Sequence, residues 1–149
     1  MYPMPDKRFF IGVKALITNL DGRILVMKKV PRKPTDRWKP FWDIPGGKIQ
    51  DSGIKETLIR EVKEELGISD LEIGGLFDVA IANFDLHKGD AVLGGLFFVI
   101  YKCKIPANSE LKLSEEHSEY KWASPEEAKE LLAFMLPKHL LEKIASPGL

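Results

Sequence analysis

Residues 46–68 read GGKIQDSGIKETLIREVKEELGI, and the passage of this stretch from paired glycines into a charged helix governs the reading of the rest of the chain. Pro45 followed by Gly46-Gly47 forces a turn in which glycine lets the backbone approach a ligand or adopt positive φ. Behind it, Ile54, Leu58, Val62 and Leu66 recur every four residues, Ser52 is available as an N-cap, and Gly67-Ile68 resembles a helix stop. The spacing predicts a helix over Ile54 to Leu66. At about 100° per residue with Glu61 at zero, Glu64 falls near about −60° and Glu65 near about +40°, so three carboxylates share one sector. That sector borders the apolar stripe of Leu58, Val62 and Leu66 instead of opposing it, which predicts carboxylates lining the edge of a cleft. Such like charges repel one another and crowd the negative end of the helix dipole, so a compensating cation is expected. Mg2+ or Mn2+ suits, because hard cations take carboxylate oxygens and keep waters that a phosphate can replace. The competing reading is a solvated acidic face neutralised by Lys55, Arg60 and Lys63.

Working outward, Ile11 to Thr18 and Arg23 to Lys28 are β-branched and apolar, and Asn19-Leu20-Asp21-Gly22 between them suits a tight turn, so a hairpin is expected. Val30 to Pro40 carries three prolines and no apolar period and reads as a loop. The segment Lys28 to Lys39 sets six basic residues, Lys28, Lys29, Arg32, Lys33, Arg37 and Lys39, against the single acid Asp36, a local field suited to polyphosphate, with Trp38 offering a face to a base. Trp42 reads as core. Beyond the helix, Leu71 to Ile73, Leu76 to Phe84 and Ala91 to Cys103 read as strands, with Asp85 to Asp90 as a polar turn and Tyr120 to Trp122 as a further short strand. Ser124-Pro125-Glu126-Glu127 has capping-box spacing with Pro at the first helical position, and Lys138 to Ala145 suits another helix. Strands interrupted by one long helix and closed by others predict an α+β chain, a mixed sheet within α/β/α layers.

The chain has 149 residues, a length expected of one domain spanning 1–149. With 44% hydrophobic and 30% charged residues it falls outside the disordered and fibrous classes. Equal numbers of basic and acidic residues, 22 of each, argue against a nucleic-acid partner. The lone Cys103 excludes a disulfide framework within the chain and reads as a small buried hydrophobe. Met1 to Phe10 lacks the apolar centre of a secretory signal, and no apolar run reaches about 18 residues, so a cytoplasmic location away from membranes is expected. Leu93 to Phe98 suits either central sheet or a homodimer surface.

Taken together, the glycine turn and Arg60-Glu61-Val62-Lys63-Glu64-Glu65-Leu66-Gly67-Ile68 resemble the box of the Nudix hydrolase family: Gly, five residues, Glu, seven residues, Arg-Glu-apolar-x-Glu-Glu-x-Gly-apolar. The second half matches throughout. The resemblance implies the Nudix fold, with Glu61, Glu64 and Glu65 as ligands of Mg2+ or Mn2+ and the Gly46 carbonyl joining them. It also implies that Arg60 orients the helix carboxylates, and that Lys28, Lys29 and Lys48 meet substrate phosphates. Glu116, in the segment Leu113 to Trp122, matches the extra acid of many members, so Glu64, Arg60 and Glu116 are the candidate catalytic residues, with a box glutamate or Glu116 deprotonating the attacking water. His117, His87 and His139 carry no role in this reading, His117 being taken as solvated beside acids with a raised pKa. The first half departs from the pattern: counting back eight from Arg60 reaches Ser52 where the family has Glu, while counting six forward from Gly47 reaches Gly53. Asp51 is the neighbouring acid. The implied function is hydrolysis of a pyrophosphate bond in a small nucleoside diphosphate derivative, such as a nucleoside triphosphate, a nucleotide sugar or ADP-ribose. The missing box glutamate motivates the rival, a weak or inactive nucleotide-binding sensor. Ile81 to Phe84 lacks the Pro or Tyr by which the family separates some substrates, leaving the substrate form open.

Overall fold

A computed structural model of the protein describes residues 6–146, so Met1 to Pro5 of the stretch read against a secretory signal lie outside the described residues. Alternation along two strands organises the molecule. In β1 (Phe9–Ile17), Val13, Ala15 and Ile17 face one apolar cluster and Leu16 the other; in β2 (Ile24–Lys29), Leu25 and Met27 face the first, Ile24 and Val26 the second. Strands buried on both sides need cover on both sides. Helix α1 (Ile54–Leu66) supplies Leu58, Val62 and Leu66 to the first cluster, whereas α2 (Pro125–Leu131), a 3-10 turn (Leu132–Phe134) and α3 (Lys138–Ala145) close the second with Leu132, Leu140, Leu141 and Ile144. This is the expected α+β arrangement of sheet between helices.

The remaining strands are β3 (Phe41–Asp43), β4 (Gly46–Lys48), β5 (Glu72–Ile81), β6 (Leu86–Lys88), β7 (Ala91–Lys104) and β8 (His117–Ala123). One sheet runs β4-β1-β7-β5, with β6 paired to β7; the other runs β3-β2-β8. Here the hairpin expectation fails. Past the Thr18–Ile24 bridge the strands part, β1 pairing parallel with β7 from Phe9–Gly95 to Ile17–Cys103 and β2 pairing with β3 and β8. The turn chemistry at Asp21-Gly22 is local, and partner choice is set by which clusters the strands must seal. Likewise Pro45-Gly46-Gly47 is more than a turn, since β3 and β4 on either side of Ile44-Pro45 carry the chain from one sheet to the other. Leu86 to Lys88, expected within a polar turn, pairs with β7. Leu96 and Phe98 lie buried within the sheet, and Cys103 is buried as expected.

Helix α1 has its expected bounds but not its expected cap. Gly53 occupies the N-cap, while Ser52 Oγ lies 3.0 Å from Thr57 Oγ1. Ile54 is 40% exposed, so the buried stripe begins at Thr57 and Leu58. Gly67, at φ 71°, ends the helix with its N–H donating to the Lys63 carbonyl. The helix α2 begins as expected, Ser124 Oγ accepting from Glu127 N at 3.2 Å. Among the described residues no helix is long and apolar enough to cross a membrane.

Gly46 sits at φ 147°, and a Cβ there would collide with the Val13 carbonyl and the Lys14 backbone. Gly46→Ala is therefore expected to destabilise the fold by at least about 2 kcal/mol, read as a lower urea midpoint with unchanged slope.

Candidate functional site

The last turn of α1 builds the site. Helix termini leave carbonyls without partners, and the segment leading into β8 supplies them: Lys112 N–H donates to the Leu66 carbonyl and Ser114 N–H to that of Glu65. This docking carries Glu116 and His117 to Glu65. A bulge in the β2–β8 pairing, with Lys28 opposite Glu119 but Lys29 opposite His117, sets the position of His117. From the other side the β3–β4 crossing presents Gly46, whose N–H donates to Glu65 Oε1 at 2.8 Å. Ligand atoms of Glu65, Glu116 and His117 lie within 4.8 Å of one another.

Glu65 is 4% exposed. Burial pushes its pKa up to about 8, Asp43 and Glu61 adding repulsion while Lys14 and the Gly46 N–H partly offset these. Glu61 is raised as well, by burial first and then by Glu64, against Arg60. Its carboxylate packs over Gly47, in the space a Cβ would occupy, so the glycine lets this carboxylate lie close against the strand. Two carboxyl groups held above their ordinary range by desolvation and like charge, with Glu116 beside them, are a donor set that fits a hard divalent cation.

These residues border a cleft of about 800 Å³. Glu61, Glu65, Glu116, Gly46, Lys29, Lys48 and Trp38 all line it, so the structure brings together most of the residues expected at the site. Glu64 and Lys28 are not among its lining residues. Glu64 is largely exposed, with its carboxylate 3.9 Å from Arg60 Nε; Arg60 also reaches Glu61 Oε1 at 3.4 Å, bridging the two. Lys28 neighbours Lys29 on a strand and so points to the opposite face. Lys48 Nζ lies 5.1 Å from the Phe10 ring centroid. Arg32, one of the basic residues of the loop, spans it to Glu115 at 3.1 Å and Glu116 at 3.6 Å. Trp42 is partly buried against the second cluster.

The reading of His117 as solvated with a raised pKa is overturned. Its side chain is 1% exposed, and burial drives its pKa down to about 4, Lys29 and Lys14 adding to that effect while Asp43 and Glu116 oppose it. Its 3.5 Å approach to Glu65 therefore joins two uncharged groups at neutral pH, not an ion pair.

Other site residues escaped the sequence reading. Lys14 Nζ pairs with Asp43 Oδ2 at 3.0 Å, both nearly fully buried, and donates to the Ile44 carbonyl at 3.3 Å. A lone lysine within the apolar run Ile11 to Thr18 was the available signal. Phe41, Phe84 and Phe134 form an aromatic wall with Trp38, neighbouring ring centroids being 5.3–5.6 Å apart. Asn83 fixes it, its side-chain amide donating to the carbonyls of Ala133 and Leu136 on either side of Phe134. These residues are far apart in sequence and share no motif.

Against known proteins, the model of the NUDIX domain matches residues 8–143. A MutT-like protein of Streptomyces ambofaciens is 26% identical over 139 residues, covering 93% of this chain and 79% of that protein. The CTP pyrophosphohydrolase of Escherichia coli K12 is 27% identical over 119 residues, covering 79% and 78%. Among solved structures, the MutT protein of Methanosarcina mazei Go1 superposes with a TM-score of 0.71 at 29% identity, over 95% of this chain and 94% of that one.

The raised pKa of Glu65 fixes the sign of a pH effect. Between the ordinary value of 4.5 and about 8 the folded protein holds a proton that the unfolded chain has lost, so metal-free stability falls as pH rises through this window. Thermal melts in EDTA are expected to show the wild type losing stability relative to Glu65→Gln from pH 5 to pH 8.5, with Mg2+ or Mn2+ restoring the wild type alone.

Proposed function

Because the chain belongs to the NUDIX-domain family and is a pyrophosphohydrolase of that family, we propose that it cleaves the anhydride of a nucleoside diphosphate linked to another moiety, using Mg2+ or Mn2+. A nucleoside triphosphate, a nucleotide sugar and ADP-ribose are the candidate forms. The observation that carries this reading is the convergence of Glu61, Glu65 and Glu116 on a cleft whose walls also carry Lys29, Lys48 and the aromatic wall of Trp38, Phe41, Phe84 and Phe134. Phosphate, base and cation each find matching chemistry within one volume of a size usual for small-ligand sites. Residues 1–149 would act as a single domain, in the cytoplasm, on a small nucleotide and without a nucleic-acid partner.

Glu61, Glu65 and Glu116 would hold the cation, with Glu64 and the Gly46 carbonyl as further candidate donors. When bound, that cation neutralises charge on the phosphate oxygens and acidifies water. Lys29 and Lys48, with Lys28 behind them, draw the polyphosphate towards the acidic floor, and Trp38 with Phe41 receives the base. The oxygen of the attacking water bonds to phosphorus as the bridging P–O bond breaks, and the bridging oxygen leaves with its phosphate. The proton of that water passes to a carboxylate. Glu116, half exposed at the cleft, and Glu64, held by Arg60, are the candidate bases, Glu64 being the one left free when Glu116 holds the cation. Arg60 keeps Glu61 and Glu64 from drifting apart.

Two measurements test this. Phosphate and nucleoside monophosphate release from nucleoside triphosphates, ADP-ribose, dinucleoside polyphosphates and nucleotide sugars is followed with Mg2+ and with EDTA; release in Mg2+ alone is expected, and binding without release from any of them overturns the enzymatic reading. For the substrate so found, kcat is compared in Glu116→Gln and Glu64→Gln. The base is the residue whose loss lowers kcat by about 100-fold or more, and full activity in both variants removes the carboxylate-base mechanism.

A further inference from the structure

One buried group beside Glu65 and Glu116 has no part in the chemistry above. The His117 side chain is 1% exposed, and neither Nδ1 nor Nε2 has a hydrogen-bond partner. Buried polar atoms are rarely left so, and one turned towards acidic side chains suggests a ligand between them. Nε2 stands 3.5 Å from Glu65 Oε2, and Glu116 completes a group whose ligand atoms all lie within 4.8 Å. That spread is close to the spacing of donors around one ion at bond lengths of about 2.0–2.2 Å. Carboxylates alone accept Mg2+ readily, whereas imidazole nitrogen favours transition ions, with affinity rising from Mn2+ towards Zn2+.

We infer that His117 Nε2 joins Glu65 and Glu116 as a direct nitrogen ligand, making the cleft a mixed nitrogen–oxygen site that takes first-row transition ions in preference to Mg2+. The inference rests on the cleft being a cation site, as proposed above, but not on which nucleotide is cleaved. The competing role for His117 is to accept a hydrogen bond from a protonated Glu65 and so orient it without touching an ion.

Pulsed electron paramagnetic resonance of the full chain loaded with Mn2+ separates the two. Direct ligation gives a 14N modulation from bound imidazole, and its absence from the wild-type spectrum overturns the inference whether or not any variant folds. Calorimetric titration of His117→Gln is expected to show Mn2+ affinity reduced about 10- to 100-fold and Mg2+ affinity changed by less than about threefold; equal losses for both ions would also overturn it. Nitrogen coupling without hydrolysis of any nucleotide sinks the enzymatic reading and leaves this one standing. Mg2+-dependent hydrolysis with no nitrogen coupling does the reverse.

Discussion

A carboxylic acid buried in the last turn of a helix faces two penalties, loss of water and the negative end of the helix dipole. Glu65 bears both. The neighbours that make this tolerable are the Gly46 N–H and the Lys14 ammonium, while the Lys14–Asp43 pair keeps a second charge from being stranded beside it. Much of the local architecture serves this contact. The β3–β4 crossing has to bring Gly46 within reach, and the lead-in to β8 has to cap the helix carbonyls. A site assembled in this way is held from three sides, and burial keeps the Glu65 carboxyl above its ordinary range.

The cleft divides by chemistry. Its floor is acidic and tightly packed, where desolvation makes each electrostatic contact stronger than at the surface. Its outer wall is aromatic, formed where Phe41, at the start of β3, meets Phe84 and the 3-10 turn carrying Phe134. Basic side chains flank the passage between them. A nucleoside polyphosphate has the same order of parts, ring then anions, which is why the proposed binding and bond cleavage share one continuous volume and not separate patches.

How much of this was legible beforehand varies residue by residue. The bounds of helix α1 were readable because its apolar period and Gly67 stop act over a few residues, whereas its cap at Gly53 and the exposure of Ile54 were not; which carboxylates share a flank was readable from helix geometry alone, but which of them line the cleft was not. The divergence of β1 and β2 was not, because the Asp21-Gly22 turn permits a hairpin without requiring the strands beyond it to stay paired. His117 was misread for a related reason. Acidic neighbours in sequence suggest solvent, but the strand and its bulge turn the ring inward, where burial reverses the direction of the pKa shift.

The sequence by itself determined the periodic elements, the carboxylates along α1 and the family resemblance, since these depend on spacings that a single backbone segment imposes. Only the tertiary structure decided that Lys14, Asp43 and His117 border the acidic floor, that Glu64 stays outside it, and that three phenylalanines join Trp38. Those pairings are set by which strand covers which cluster, and the free energy that chooses among such arrangements belongs to the packed whole, not to any stretch of the chain.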